Sequence, residues 1–277
     1  MTVTLARQAL IAMFAAASSG LPAAAGAETV LITGANSGIG LEFARQYAAR
    51  GWTVIATHRR AQPPQSLNEL SARFKNVRVE SLDVTRIEQV HGLAAKLARV
   101  PIDVLIDNAG VYNDRGACAP EDESCPGDWS TQRFGKLRYP LFDTIMTVNV
   151  KGALMVAEGF YQNVRESRLK KIVAISSSNG SLTGPTGPPP GAIFYRSSKA
   201  ALNRAMQLVA ADVKADGVTV VMLNPGPTLT ERQSYLKQYP GMLQTSFTVE
   251  SMIRTIDKVT LRDAGRFLRY DGTTEPW

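Results

Sequence analysis

Short apolar runs alternate along this chain with segments in which apolar residues recur at helical spacing. The runs are rich in β-branched residues, which predicts buried strands, and they occupy residues 29–33, 52–57, 77–82, 104–106, 171–175 and 218–223. Helices are predicted at residues 41–50, 87–98 and 142–164 and in the segment that contains Tyr195. Regular alternation of strand and helix indicates a parallel sheet with right-handed crossovers. We therefore predict an α/β fold, a single doubly wound parallel sheet with helices on both faces.

Two segments interrupt this alternation. Residues 112–140 contain several glycines and prolines and both cysteines, and residues 184–191 are rich in proline. Long irregular segments inside a compact domain are usually functional or disordered. We expect residues 112–140, together with 231–249, to wall a pocket.

Composition limits the class of protein. The chain has 277 residues, 44% of them hydrophobic, enough for one large domain, which we place at residues 28–277. The net charge of +7 comes from basic residues scattered over the chain, so a solvated surface is the first interpretation and an anionic ligand the second. Because no nucleic-acid-binding motif accompanies the charge, we expect no nucleic-acid partner.

The first 27 residues have the features of a secretory signal peptide. Arg7 precedes an apolar run at residues 9–17, and Ala25-Gly26-Ala27 has the form of a cleavage site. The run is shorter than the roughly 20 residues that span a bilayer, so we expect no stable membrane span. A signal peptide at residues 1–27 predicts a periplasmic or secreted protein. The alternative is a misassigned start or an uncleaved segment, which leaves a cytoplasmic protein.

The chemistry of the two cysteines follows from that choice of compartment. Cys118 and Cys125 lie seven positions apart in one predicted loop. In an exported protein they are expected to form a local disulfide, whereas in the cytosol they would be free thiols. Without a nearby histidine cluster they do not indicate a zinc site.

The first predicted strand leads directly into the glycine-rich segment Gly34-Ala35-Asn36-Ser37-Gly38-Ile39-Gly40, and a predicted helix follows. Strand, glycine-rich turn and helix are the context of a dinucleotide-binding loop. The glycines let the backbone approach a pyrophosphate, and the N–H groups at the helix start hold its negative charge. The spacing differs from the commoner Gly-x-Gly-x-x-Gly, but the context predicts that this loop binds a cofactor.

The end of the second predicted strand distinguishes two cofactors. NAD sites place an acidic residue about 20 residues after the glycines, where it accepts from the ribose 2′-hydroxyl. This chain has no Asp or Glu between Glu42 and Glu69, and instead carries His58, Arg59 and Arg60 at the strand end. A guanidinium suits a 2′-phosphate through charge-assisted, often bidentate bonds. We therefore expect NADP(H) rather than NAD(H), with Arg59 at the phosphate; the alternative is that these arginines are only solvated.

Tyr195 and Lys199 lie four positions apart in a predicted helix, so they share one helix face. A neighbouring lysine cation favours a phenolate, which would lower the pKa of the phenol from about 10. The pair could then exchange a proton with a carbonyl or an alcohol. Alone it could equally be two surface residues. The neighbouring motifs favour chemistry, because they lie at predicted strand ends, where parallel sheets bind ligands.

Taken together, these motifs resemble those of the short-chain dehydrogenase/reductase family over about residues 28–277. They are Thr33-Gly34-xxx-Gly38-Ile39-Gly40, Asn108-Ala109-Gly110, Asn149, Ser177, Tyr195-xxx-Lys199 and Pro225-Gly226. Within the family the chain is similar to the C-factor/sniffer-like group, which is related to carbonyl reductases. The segments that carry this similarity are Gly40-Leu41-Glu42-Phe43, residues 195–203 and residues 271–277.

The resemblance implies an NADP-dependent oxidoreductase on a Rossmann fold that acts on a carbonyl or alcohol substrate. Tyr195 would be the acid/base, Lys199 would lower its pKa and hold the nicotinamide ribose, and Ser177 would hydrogen-bond the substrate oxygen. Asn149 would anchor a water in a proton relay to Lys199. Family members often pair through the helices that bear Asn149 and Tyr195, so we expect a homodimer; the alternative is that long inserts near that surface block pairing. Further implied cofactor contacts are Asp83 and Val84 at the adenine, Asn108, Ala109 and Gly110 along the cleft, Thr230 at the nicotinamide end, and Pro225, Gly226 and Thr228 in the same loop.

The chain departs from the family pattern at three points. Asp107 stands where the family usually has Asn, and Ser37 stands where NADP-preferring relatives often carry a basic residue. Ser177 and Tyr195 are 195 − 177 = 18 positions apart, more than is usual, so the proline-rich segment has to loop out if both face one substrate. Ser176 and Ser178 remain alternatives to Ser177.

Two functions of different classes fit these observations. The first is an active NADP-dependent carbonyl reductase or alcohol dehydrogenase. The second is an NADP-binding signalling or interaction protein whose catalysis is incidental. The complete serine, tyrosine and lysine set favours the enzyme, because a pure binder needs no activated phenol.

Overall fold

In the computed structural model of the protein, the described residues are 27–113, 128–184, 191–231, 237 and 240–277. The segment predicted to be a signal peptide (except Ala27), both cysteines and residues 185–190 of the proline-rich segment lie outside them. The signal peptide, the disulfide and the compartment therefore stay predictions. The homodimer also stays a prediction.

A parallel sheet of seven strands forms the centre of the described part of the chain. Its strands are β1 (Thr29–Ile32), β2 (Thr53–His58), β3 (Val77–Ser81), β4 (Val104–Asp107), β5 (Lys171–Ile175), β6 (Thr219–Asn224) and, after two shorter strands, β9 (Phe267–Arg269). The order across the sheet is β3-β2-β1-β4-β5-β6-β9, and every neighbouring pair is parallel. The shorter strands, β7 (Thr228–Leu229) and β8 (Leu243–Gln244), pair with each other. The predicted parallel α/β sheet is therefore confirmed.

Helices cover both faces of the sheet. They are α1 (Gly38–Ala49), α2 (Gln65–Arg73), α3 (Ile87–Lys96), α4 (Tyr139–Met146), α5 (Ala153–Gly159), α6 (Tyr161–Arg165), α7 (Ile193–Val213) and α8 (Thr245–Lys258). A π-helical turn, Thr147–Gly152, joins α4 to α5, so the single helix predicted at 142–164 is interrupted. Among the described residues, no helix combines the length and the apolar character needed to cross a membrane.

The sequence analysis missed helices α2 and α8 and strands β7, β8 and β9. Helix α2 is short and amphipathic and follows two prolines, and α8 begins inside the segment that we assigned to a pocket wall. Strands β7 and β8 have two residues each, and β9 has three, two of them buried. These strands carry too few positions for a periodic pattern, so tertiary packing decides them.

The core consists of two apolar layers, one on each face of the sheet. Alternate residues of β1 divide between them: Val30 and Ile32 pack with Phe43 and Tyr47 of α1, and Leu31 packs in the opposite layer. Each fully buried side chain of this size stabilises the fold by about 1.5–3 kcal/mol relative to its exposed state. Because helices cover both faces, the ends of the strands are where a ligand can reach the sheet.

Asp103 joins three segments at the amino-terminal end of β4. Its Oδ2 accepts from the backbone N–H of Thr29 at 2.9 Å, and its Oδ1 accepts from the N–H groups of Arg168 and Leu169 at 3.2 Å each. The side chain is buried. It therefore sets the relative position of β1, β4 and the turn before β5.

We expect Asp103→Ala to lower the free energy of unfolding by about 2–4 kcal/mol, because it leaves three backbone donors without their acceptor. Urea denaturation measures this change. Asp103→Asn, which keeps one amide oxygen, should lose less. Asp212→Ala on the exposed side of α7 is the control and should stay within about 0.5 kcal/mol. Equal midpoints for Asp103→Ala and the control would contradict the prediction.

Candidate active site

The loop between β1 and α1 is shaped by three glycines. Gly34 and Gly38 have φ values of +62° and +55°, a left-handed conformation that favours glycine. A Cβ on Gly40 would lie 2.4 Å from the Gly34 carbonyl oxygen and 2.5 Å from Asn108 Nδ2, which leaves no room for a side chain. The loop is thereby held close to the start of α1. The first turn of α1 carries no acidic residue, so its N–H groups favour an anion.

Thr33 and Asn108 connect this loop to the end of β4. Thr33 Oγ1 donates to Asp107 Oδ1 at 2.9 Å and accepts from the N–H groups of Asn108 and Ala109, also at 2.9 Å. Asn108 Nδ2 donates to the carbonyls of Thr33 at 2.9 Å and Gly34 at 3.1 Å. The Asn108 side chain therefore holds the glycine-rich loop against the end of β4.

Asp107, the residue that departs from the family pattern, is a buried carboxyl group in this connection. Burial raises the pKa of Asp107 to about 6, and the Thr33 hydrogen bond and the Lys199 cation oppose that rise. Burial likewise lowers the pKa of Lys199 to about 8, and the Asp107 carboxylate opposes this change. The two groups are thus coupled, and both titrate close to neutral pH.

Tyr195 and Lys199 lie on one face of α7, as predicted, and Ser177 meets the phenol from the end of β5. The Ser177 side chain lies close enough to the Tyr195 hydroxyl to lower the pKa of that phenol. The Ser177 turn packs tightly on α7, since a Cβ on Gly180 would lie 2.7 Å from the Lys199 carbonyl carbon. The sequence separation of 18 therefore does not keep the two hydroxyls apart.

The other two serines point elsewhere. Ser176 Oγ donates to Asn203 Oδ1 of α7 and is buried. Ser178 begins a short 3-10 helix, Ser178–Gly180, for which Ser177 is the N-cap. Of the three candidates, the structure places Ser177 beside the phenol.

The structure does not show the predicted lowering of the Tyr195 pKa by Lys199. Burial raises the pKa of Tyr195, and the Ser177 side chain and the charge of Arg196 only partly oppose it. Lys199 Nζ lies 5.9 Å from the Tyr195 ring centroid and donates to the Ile175 carbonyl at 2.8 Å. The prediction of a lowered pKa is therefore wrong for this arrangement, because desolvation outweighs the charges nearby.

Asn149 lies in the π-helical turn and joins the cleft to α7. Its Oδ1 accepts from Val111 N at 2.8 Å, while Nδ2 donates to the Val111 carbonyl at 2.7 Å and to Ser198 Oγ at 2.9 Å. A Cβ on Gly110 would lie 3.5 Å from Asn149 Oδ1 and 3.9 Å from Lys199 Nζ. Exposed Gly110 thus marks where the cleft opens beside both side chains.

The residues expected near the adenine lie at the ends of β2 and β3. The Asp83 carboxylate accepts from the N–H and hydroxyl of Thr85, at 3.0 and 2.7 Å, and Val84 is buried against Gly152. Arg59 is exposed and forms no ion pair with any residue in the described ranges. Its guanidinium is therefore accessible at the predicted phosphate position.

The loop after β6 reaches back to the glycine-rich loop. Thr230 Cγ2 lies 3.4 Å from an ideal Cβ on Gly38. Thr228 is buried, and its hydroxyl donates to the Pro225 carbonyl at 2.9 Å, so this side chain fixes the loop internally. Gly226 has φ +71° and packs against Tyr270.

The remaining residues of the predicted cofactor set line the glycine-rich loop. The Asn36 carbonyl accepts from Ser66 Oγ at 2.7 Å, which attaches the loop to α2. Ser37 precedes the first residue of α1, and Ile39 packs against the core from the first turn.

Sequence reasoning missed a polar and aromatic group around Tyr195. Gln132 Oε1 accepts from the Tyr195 N–H at 2.9 Å. The rings of Tyr112 and Trp129 pack edge-on to Tyr195, with centroids 6.3 and 6.2 Å away. The only signal was that all three lie in the irregular segment 112–140, which we expected to wall the pocket.

The features of the site suit a dinucleotide. The loop has no room for a side chain at Gly40, the helix start favours an anion, and an accessible arginine lies at the end of β2. The part of the chain that the structure describes contains no cluster of three metal-ligating side chains.

Known proteins resemble this chain over most of its length. A model of the short chain dehydrogenase family matches residues 28–240. An uncharacterized oxidoreductase of Schizosaccharomyces pombe is 29% identical over 270 residues, which cover 92% of this chain and 99% of the relative. The C-signal protein of Myxococcus xanthus is 31% identical over 188 residues, which cover 68% of this chain and 100% of the relative.

Solved structures agree with these matches. The NADPH-bound carbonyl reductase from chicken fatty liver is 25% identical, with a TM-score of 0.79 over 91% of this chain and 99% of that one. A Burkholderia multivorans protein assigned to the short-chain dehydrogenases/reductases, with bound NADP, is 28% identical, with a TM-score of 0.74 over 91% of this chain and 100% of that one.

The family model covers far more than half of the chain, and its match begins at the first strand of the sheet. It includes the glycine-rich loop, Ser177, Tyr195 and Lys199. The protein therefore belongs to the short-chain dehydrogenase/reductase family of oxidoreductases.

Proposed function

We propose that this protein is an NADP(H)-dependent oxidoreductase that interconverts a carbonyl and an alcohol, with Tyr195 as the acid/base. The observation that carries the proposal is the meeting of Ser177, the Tyr195 phenol and buried Lys199, whose Nζ lies 5.9 Å from the phenol ring centroid. These groups meet at the carboxyl-terminal ends of the strands, where parallel sheets bind ligands.

The cofactor would be held by the loop from Gly34 to Gly40 and by Arg59. The N–H groups at the start of α1 would bind the pyrophosphate, and the Arg59 guanidinium would bind the 2′-phosphate. Two structural relatives contain NADPH or NADP, which supports this choice. When bound, NADPH supplies the hydride that reduces a carbonyl carbon.

The protein's own contribution is a positioned proton. Burial raises the pKa of Tyr195, so the phenol is protonated at neutral pH. A protonated phenol can donate to a carbonyl oxygen as negative charge develops there. Ser177, whose side chain lies beside this phenol, would hydrogen-bond the same oxygen.

Lys199 adds a buried cation next to the cleft. Burial lowers the pKa of Lys199 to about 8, so at neutral pH most of the side chain is ammonium. Its Nζ would bind the nicotinamide ribose near Gly110. Asn149 would contribute through the water relay that the family implies. A purely cofactor-binding signalling protein is not favoured, because it would not require Ser177 and a buried cation at one phenol.

We expect Tyr195→Phe to reduce turnover by about 100- to 10,000-fold, because the variant lacks the proton that Tyr195 donates. Purified protein would be incubated with NADPH and a panel of aldehydes, ketones and quinones, and NADPH loss would be followed by absorbance. Tyr139→Phe on the exposed part of α4 is the matched control and should retain full activity. Full turnover by Tyr195→Phe would refute the assigned role, and tight NADPH binding without reduction of any carbonyl would favour the signalling protein.

We expect Arg59→Gln to weaken NADPH binding by about 10- to 100-fold, since charge-assisted hydrogen bonds contribute about 1.5–3 kcal/mol. NADH binding should change by no more than about twofold, because NADH lacks the 2′-phosphate. Calorimetric titration with both cofactors measures the difference. Arg99→Gln, exposed between α3 and β4, is the control. Equal weakening for NADPH and NADH would show that Arg59 does not bind the phosphate.

We expect Asp107→Asn to move the basic limb of the pH–rate profile to lower pH. The Asp107 carboxylate raises the pKa of Lys199 against burial, so removing its charge lets the ammonium lose its proton at lower pH. The profile of kcat/KM against pH, measured upward from neutral pH, checks this shift. Asp143→Asn, exposed on α4, should leave the limb in place. An unmoved limb in a folded Asp107→Asn variant would contradict the coupling.

A further inference from the structure

Gln132 is a fully buried polar side chain that contacts the start of the proposed catalytic helix. It ends a short 3-10 helix, Ser130–Gln132, and its exposed fraction is 0%. Its Oε1 accepts from the Tyr195 N–H at 2.9 Å, and its Nε2 donates to the Tyr112 carbonyl at 2.7 Å. One side-chain amide thus joins two segments that are far apart in sequence.

Helix α7 has no cap of its own at this end. Its N-cap residue, Ala192, adopts a left-handed conformation with φ +51° and has no side chain that could accept a hydrogen bond. The first N–H groups of a helix have no partner within the helix. Tyr195 is the third residue of α7, and Gln132 accepts from its N–H. The cap of this helix is therefore supplied by a distant segment.

The other end of the same amide reaches the cofactor cleft. Tyr112 follows Val111, which Asn149 holds through two hydrogen bonds of 2.8 and 2.7 Å. Gln132 therefore lies between the loop after β4, residues 108–112, and Tyr195. We call residues 108–112 the cleft loop. The rings of Tyr112 and Trp129 pack edge-on to Tyr195 on this side.

The segment that carries Gln132 is itself fixed. Asp128 accepts from the N–H of Ser130 at 2.7 Å and from its hydroxyl at 2.8 Å. A Cβ on Gly191, just before α7, would lie 2.9 Å from Arg133 Cγ and 3.3 Å from the Gln132 carbonyl oxygen. The short helix is thus packed directly on the turn that enters α7.

We propose that Gln132 is a positioning residue, which sets the start of α7 and thereby holds the Tyr195 phenol against Ser177 and beside the cleft. It acts through the Tyr195 backbone and through Tyr112 and contacts no reacting atom. This role rests on the proposed function, because it concerns the group that would donate the proton.

Two substitutions separate positioning from a general contribution to stability. Gln132→Met has a similar volume and neither hydrogen bond. Gln132→Glu keeps both bonds only while its carboxyl is protonated, since the protonated form can donate to the Tyr112 carbonyl and accept from Tyr195. Burial raises the pKa of such a carboxyl group. Gln162→Met on the exposed part of α6 is the matched control.

The first measurement is turnover of the full-length protein with NADPH and a carbonyl substrate as a function of pH. For Gln132→Met we expect kcat to fall about 10-fold or more at every pH, while KM for NADPH stays within about threefold, because one good hydrogen bond to the positioned group is lost. For Gln132→Glu we expect nearly wild-type kcat at low pH and a smaller fall as the new carboxyl ionises, because the carboxylate still accepts from the Tyr195 N–H and loses only the bond to the Tyr112 carbonyl. Gln162→Met should match the wild type. Profiles of both variants that run parallel to the wild type, with only the unfolding midpoint lowered, would overturn the inference.

The second measurement needs no turnover. In protein labelled with ¹³C at the tyrosine ζ carbons, the Tyr195 signal is assigned by its loss in Tyr195→Phe. Ser177→Ala should shift that signal in the wild type and in Gln162→Met, and the shift should be lost in Gln132→Met. If no carbonyl is reduced by the wild type, the proposed function fails and this measurement alone decides the role of Gln132. A Tyr195 signal that responds to Ser177→Ala equally in Gln132→Met and the wild type would overturn the role.

Discussion

The arrangement of the site depends on one buried set of hydrogen bonds, which joins the end of β1 to the end of β4. Thr33 is its centre: the hydroxyl donates to Asp107 and accepts from two backbone N–H groups of the Asn108 turn. A hydroxyl has one donor and two acceptor sites, so these three bonds use its full capacity. The glycine-rich loop and the cleft loop are consequently held at a fixed distance from each other, whatever occupies the space between them.

Burial affects the pKa values of the ionisable groups in the site more than neighbouring charges do. Asp107, Lys199 and Tyr195 each have a pKa moved in the direction that opposes their charged forms. In water, a lysine close to a tyrosine would promote the phenolate, but in a desolvated site the cost of creating a new charge is larger. The phenol is thereby kept in its proton-donating form.

Segments distant in sequence hold helix α7, which carries Tyr195 and Lys199. Asn149 bonds to Ser198, Gln132 bonds to the Tyr195 backbone, and Gly180 allows the Ser177 turn to pack against Lys199. Each of these contacts comes from a different element, so the phenol is fixed from several directions. Such preorganisation is what proton transfer requires, since the donor has to lie within hydrogen-bond reach of the reacting oxygen.

The parallel α/β fold, the positions of its six main strands along the chain, the glycine-rich loop and the helix that carries Tyr195 and Lys199 could be predicted from the sequence. These features follow from periodicity, glycine spacing and an i, i+4 pair, all of which are local and can be read along the chain. Tertiary structure alone decided which of three adjacent serines meets the phenol, in which direction the phenol's pKa moves, and that Gln132 caps α7. Hydrogen bonds between segments and the degree of burial depend on how elements pack, and neither quantity is encoded in the spacing of residues within one element.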